Sequence, residues 1–135
     1  MITAVDTNVF LDVFGADNEF GPRSADTLRA CLREGRLVAC EAVWAETAVL
    51  FSSAAAARGS MESLGVGFSP LDLEAALAAS TAWRKHRARG GRREPAAADF
   101  LVGAHAQLHA DRLLTRDRGF HRAFFSGLKV LDPAA

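Results

Sequence analysis

Short runs of strongly apolar residues recur along this chain, and each is followed by a longer stretch with helical spacing. Ile2-Thr3-Ala4-Val5 is the first such run. It breaks at Asp6-Thr7-Asn8 and resumes with Val9, Phe10, Leu11, Val13 and Phe14, which predicts a buried strand, a turn and a helical turn. Gly15 to Gly21 is a polar connection, and Pro22 opens a helix to about Glu34 in which Ala25, Leu28 and Leu32 share a face. Leu37-Val38-Ala39-Cys40 predicts a second strand, and Glu41 to Ala57 one continuous helix carrying Val43, Trp44, Thr47, Ala48, Leu50 and Phe51 on a broad apolar face. Ser60 to Leu64 reads as a helical turn and Val66-Gly67-Phe68 as a third strand. Helices follow from Leu71 to about Arg89, stopped by Gly90-Gly91, and from Pro95 to about Ala110. Leu113-Leu114-Thr115, a short helix from His121 to Phe125, and a strand over Leu128 to Leu131 close the chain. Strands alternating with helices predict an α/β protein, a three-layer α/β/α sandwich around a mostly parallel five-stranded sheet.

Composition narrows this to one folded domain over residues 1–135: half of the residues are hydrophobic and 24% are charged. No apolar run approaches the roughly 20 residues that cross a bilayer, and the start of the chain has no basic region of a secretory signal. A cytoplasmic protein with no membrane partner is the expectation. Cys31 and Cys40 have no metal-ligand spacing and read as buried thiols. Sixteen basic and sixteen acidic side chains cancel, yet six of the sixteen Lys and Arg fall between Trp83 and Arg93. That run suits either phosphate contacts or a solvated helix end, where cations also complement the helix dipole.

Candidate chemistry rests on where the acids fall. Asp6 stands where a strand hands over to a helix, the edge at which sites gather in parallel sheets. Thr115-Arg116-Asp117 repeats the pattern at a second strand end, and Asp99 lies in the opening turns of a helix. Each acid has a local explanation, as a helix cap or as dipole complement. Their recurrence at equivalent junctions favours a site. Glu46 follows Val43-Trp44-Ala45, beside the apolar face, and is favoured over Glu41, which a helix N-terminus already explains. His105 and His109 are four apart without the HExxH pattern, so they read as ordinary helix side chains, while His121 could approach Asp117. No P-loop, G-x-G-x-x-G or G-x-S-x-G occurs.

Taken in order, Val5-Asp6-Thr7-Asn8-Val9, Val43-Trp44-Ala45-Glu46, Ala98-Asp99-Phe100-Leu101-Val102-Gly103-Ala104-His105-Ala106 and Leu113-Leu114-Thr115-Arg116-Asp117-Arg118-Gly119-Phe120 resemble the acidic motifs of PIN-domain ribonucleases, and in particular of VapC toxins. The resemblance implies strand order 3-2-1-4-5, with Asp6, Glu46, Asp99 and Asp117 binding Mg²⁺ or Mn²⁺ as catalytic residues and Asn8 and Thr115 hydrogen-bonding around them. It further implies endoribonuclease action leaving 5′-phosphate and 3′-hydroxyl ends, a cognate antitoxin as partner, and a homodimer. The chemistry is consistent. Hard divalent cations choose oxygen ligands, and two carboxylates about 5 Å apart repel by roughly 3 kcal/mol at an effective dielectric near 20, so a cluster of four needs a cation or protons. Arg116 and Arg118 are candidate contacts to RNA phosphates, although Arg116 could equally pair with an acid nearby. Two rivals stand beside the nuclease: a PIN-like module that binds RNA or protein without cutting, and a phosphatase with Asp6 as nucleophile, weakened because Asn8 stands where a second Asp is needed.

Overall fold

The computed structural model describes residues 1–90 and 95–134. Its elements run β1 (Ile2–Val5), α1 (Thr7–Phe14), α2 (Gly21–Glu34), β2 (Arg36–Ala39), α3 (Glu41–Ala48), α4 (Ala54–Ser63), β3 (Val66–Phe68), α5 (Leu73–Ala88), α6 (Ala97–His109), β4 (Arg112–Leu114), α7 (Arg118–Phe124) and β5 (Val130–Leu131). The five strands form one sheet in the order β3-β2-β1-β4-β5. Every pairing is parallel, with Ala4 of β1 opposite Val38 on one side and Leu113 on the other. The central strands carry buried side chains at successive positions, as strands covered on both faces must.

Parallel pairing puts the carboxyl ends of β1 and β4 side by side. The Asp6 amide continues the ladder by donating to the Leu114 carbonyl at 2.9 Å, so the residues leaving both strands emerge together. One apolar cluster joins the sheet to α1, α2 and α3 through Val9, Phe10, Leu28, Val43 and Leu113. A second joins α5, α6 and α7 through Ala75, Ala79, Ala82, Phe100, Ala104 and Phe125. Gly103 is required there. A Cβ at that position would overlap the Phe125 ring, so a larger residue would push α6 away from the segment behind α7.

The structure corrects one element. The single helix expected over Glu41 to Ala57 is two, broken at residues 49–53. The end of α3 tightens, with Leu50 and Phe51 donating to carbonyls three residues back, and Ser53 then starts α4 by accepting from the Ala56 amide at 3.1 Å. Phe51 packs edge-on against Phe14, 5.1 Å between ring centres, which turns the chain inward where a straight helix would carry it out. The expected turn at Ser60 to Leu64 belongs to α4. Gly91, Arg92 and Arg93 of the basic run lie outside the described residues. Cys31 and Cys40 are buried free thiols, and burial pushes the Cys40 thiol upward from its ordinary value. Among the described residues, no helix is long and apolar enough to cross a membrane.

Candidate active site

Asp6 ends β1 in extended conformation and caps α1 with a carboxylate that accepts the Thr7 amide at 2.8 Å. Its other oxygen accepts the Thr115 hydroxyl at 2.8 Å and the Asn8 side-chain amide at 3.4 Å. Thr115 leaves β4 beside it, and its hydroxyl also accepts from Asn8 at 3.2 Å and from the Asp117 amide at 3.0 Å. Asn8 closes the network by accepting the Arg116 amide at 3.1 Å. Two loops more than a hundred residues apart in sequence are thereby tied into one polar floor. Asn8 and Thr115 hold Asp6 in one orientation, and Asp117 starts α7 without capping it through its side chain.

Asp99 enters from α6. It sits in the first turn and accepts the Ala96 amide at 3.1 Å, while its own amide donates to the Ala96 carbonyl at 3.0 Å. Its carboxyl is nevertheless held above the ordinary range, first by burial, then by the charges of Asp6 and Asp117, with the Ala96 bond opposing. Those two influences place the acids of β1, α6 and the β4 turn in one electrostatic neighbourhood. Glu46 reaches the same place from α3, accepting the Thr7 hydroxyl at 2.8 Å. The residue is exposed, beside the buried face of α3 that Val43 and Thr47 form. Glu41 is elsewhere, accepting the Leu71 amide at 2.8 Å as a brace between α3 and the start of α5.

His121 is fully buried, with Nε2 3.4 Å from the Asp6 carboxylate and Nδ1 without a hydrogen-bond partner among the described residues. Sequence left its approach open, and the contact is with Asp6. Asp12 was not anticipated at all. Buried in α1, it takes the Ser24 hydroxyl at 2.8 Å and a two-pronged bond from Arg116 at 2.8 and 2.9 Å. Arg116 is therefore committed to an internal acid, and its guanidinium also lies over Phe20 at 4.1 Å. An acid one turn after Asn8 among Phe10, Leu11 and Val13 was the only signal for it. Arg118 is half exposed and 3.6 Å from Asp132. The histidine pair is structural: His105 meets the Ser69 hydroxyl at 2.9 Å, His109 lies 2.9 Å from Asp72, and burial, then His109, hold His105 below its ordinary pKa.

Among the described residues, no group of three or more His, Cys, Asp or Glu side chains is gathered closely enough to clasp a metal outright. Local donors occupy oxygens of Asp6, Asp99 and Glu46. The donor set itself fits a hard divalent ion, being carboxylate oxygen throughout with excess negative charge registered at Asp99.

A model of the PIN domain matches residues 3–125. The chain belongs to the PIN-domain family. No curated protein sequence matches it. As a PIN domain it resembles solved structures over nearly its whole length. One is a chain of VapBC2 from Rickettsia felis bound to a DNA fragment from its promoter, with TM-score 0.74, 14% identity and 98% of each chain covered. VapBC-1 from nontypeable Haemophilus influenzae gives 0.72 at 18% identity with complete coverage of both chains. Mycobacterium tuberculosis VapC20, described as a Sarcin-Ricin loop cleaving toxin, gives 0.60 at 18% identity, covering 94% of this chain and 98% of that one. At these identities the likeness establishes the PIN fold, with the acids standing at the edge where such sheets place their sites.

Proposed function

We propose that this PIN domain is a Mg²⁺- or Mn²⁺-dependent endoribonuclease and the toxin of a toxin–antitoxin pair. The observation that carries the reading is that the Asp99 carboxyl is raised first by burial and then by the charges of Asp6 and Asp117, so acids from three separate segments act on one another. Carboxylates that destabilise one another in the absence of a ligand are poised to hold a cation. Asp6, Glu46, Asp99 and Asp117 would hold it. Bound there, a divalent ion supplies Lewis-acid neutralisation of the carboxylates and of charge growing on a scissile phosphate. The chain's own contribution is orientation. Thr115 and Asn8 fix the Asp6 carboxylate through donors on one oxygen, and Thr7 fixes Glu46. Arg118, half exposed and only loosely paired with Asp132 at 3.6 Å, is the candidate contact to the RNA backbone, whereas Arg116 is engaged with Asp12. Single strands and loops are the natural targets because their bases and backbone can enter an open cleft.

The toxin role is supported by the neighbours solved as VapBC complexes, and it implies a small antitoxin that covers the acidic cleft. A homodimer in the cytoplasm is the accompanying expectation. Purified protein incubated with structured RNAs and Mg²⁺ or Mn²⁺ should cut them, and EDTA, Asp6→Asn or Asp99→Asn should stop the cutting. Cleavage surviving all three would refute the mechanism. Metal uptake with no cleavage of any RNA would favour a non-cutting binding module instead.

A further inference from the structure

The described cations of the basic run differ from arginines in and after β4 in one respect. Arg112, Arg116 and Arg118 are paired with Glu34, Asp12 and Asp132. Arg84, Lys85, Arg87 and Arg89 have no acidic partner among the described residues. Two of them are held in place by aromatic rings. Arg87 lies over Trp83 at 5.5 Å and Arg89 over Phe124 at 5.2 Å, both exposed. A helix end that merely complements its dipole needs no such support, and long cationic side chains on a solvated surface ordinarily stay mobile.

The rings beneath them lead to the acids. Trp83 stacks flat on Phe100 at 5.4 Å, and Phe100 follows Asp99 in α6. Phe120 meets Phe100 at 5.2 Å and His121 at 5.0 Å, and His121 touches Asp6. Buried His86 is wedged between Phe100 and Phe124, anchoring the last turn of α5 to α6 and α7. The end of α5 is therefore fixed to α6, which carries Asp99 in its first turn, and to α7, which Asp117 precedes. Trp83 stacks on Phe100 and also carries the exposed Arg87 guanidinium over its ring, and a guanidinium is a group on which phosphates bind and bases stack.

From this we propose that Arg87 and Arg89 form a backbone-binding crest for single-stranded RNA running past the acidic site, a positioning surface that sets substrate affinity without touching the reacting atoms. The inference rests on the nuclease reading for its choice of RNA over an acidic protein. Its geometry is independent of catalysis: ring-supported cations with no acidic partner among the described residues, at the end of α5 where it packs against α6 and α7.

The test is binding of a fluorescently labelled 20-nucleotide single-stranded RNA of mixed sequence to the full chain, by anisotropy in EDTA across a salt series, beside steady-state cleavage in Mg²⁺. Arg87→Gln with Arg89→Gln should weaken binding roughly tenfold and lower the slope of log Kd against log salt by about 1.4, two contacts' worth for a single strand. In cleavage, KM should rise by the same factor while kcat stays within about twofold. The Arg87→Lys, Arg89→Lys protein keeps the charges and should recover most of the salt slope, which separates a phosphate contact from a packing defect. Unchanged affinity and slope in the Gln variant, or a fall in kcat alone, overturns the crest. Loss of a co-purifying protein with RNA affinity intact also overturns it, in favour of protein docking. Failure of the nuclease reading looks different: the wild-type protein cuts nothing, yet the binding series still decides the crest.

Discussion

Asp6 and Asp12 sit six residues apart, at the cap and in the last turns of α1, and both are almost wholly buried. Their surroundings differ. Asp12 faces a guanidinium that bonds both its oxygens and a serine hydroxyl that completes the set, so its charge is answered from within the chain. Asp6 is answered only by neutral donors, Thr115, Asn8 and the Thr7 amide, apart from a long contact to His121, and it faces other acids. Neutral donors orient a carboxylate without cancelling its charge. A pair that balances itself holds loops together, whereas a buried carboxylate oriented by neutral donors beside other acids, as Asp6 is, suits a cation that arrives from outside.

The comparison can be broken most sharply at Asp6. Asp6→Asn can keep the cap through its one acceptor oxygen, but it removes the charge and sets an NH2 where Thr115 and Asn8 donate, and RNA cleavage should fall by at least roughly 100-fold while the fold survives in thermal melts. The opposite pattern is expected at Asp12. Asp12→Ala leaves Arg116 and Ser24 without their acceptor and should cost about 2 to 3 kcal/mol in urea unfolding, below the figure for a fully buried pair because Arg116 is partly exposed. Should Asp12→Ala instead abolish cleavage at full stability, the division between the two acids is wrong. Thr115→Val is next, since it removes the hydroxyl that orients Asp6. A drop of about 10- to 100-fold in activity or metal affinity is expected, with a smaller stability loss.

A subtler difference lies at Asp99. Its folded pKa is raised, so the protonated form is favoured in the fold, and the stability it contributes is present below the ordinary carboxylate range and lost as pH rises through the raised value. Asp99→Asn has no such titration and keeps an acceptor for the Ala96 amide. Denaturant melts in EDTA should therefore show the variant gaining on the wild type from about pH 4 upward, then holding a constant lead. A lead that shrinks with rising pH would mean that the acid is stabilised in the fold. The smallest effect belongs to the surface pair of Arg29 and Asp26, whose removal should be hard to detect.

Most of the frame was legible in the sequence because its signals are local. Apolar runs ending in Asp-Thr-Asn and Thr-Arg-Asp announce strands that deliver polar groups to a turn, and the all-parallel sheet then brings those turns together. The break after α3 was hidden because Val49, Leu50 and Phe51 continue an apolar helical pattern, and only Ser53 hints at a new start. Arg116 shows the other limit. Its partner is 104 residues away in sequence, and no local pattern tells a phosphate-binding arginine from one that is already engaged. Glu46 was favoured because it stands beside an apolar face and Glu41 already had a helix-end explanation, while its tie to Thr7 depends on how α3 lies against α1, a matter of packing.

The central claim is that acids carried by β1, α3, α6 and the β4 turn are completed by one class of ligand, a divalent cation. It is tested most directly by thermal unfolding with and without Mn²⁺ in the wild-type and Asp99→Asn proteins. Binding to the folded state alone stabilises by about 2.7 kcal/mol at a hundred times the dissociation constant, so the wild-type midpoint should rise by several degrees and the variant's much less. Equal shifts in the two proteins, or none in either, would contradict the account.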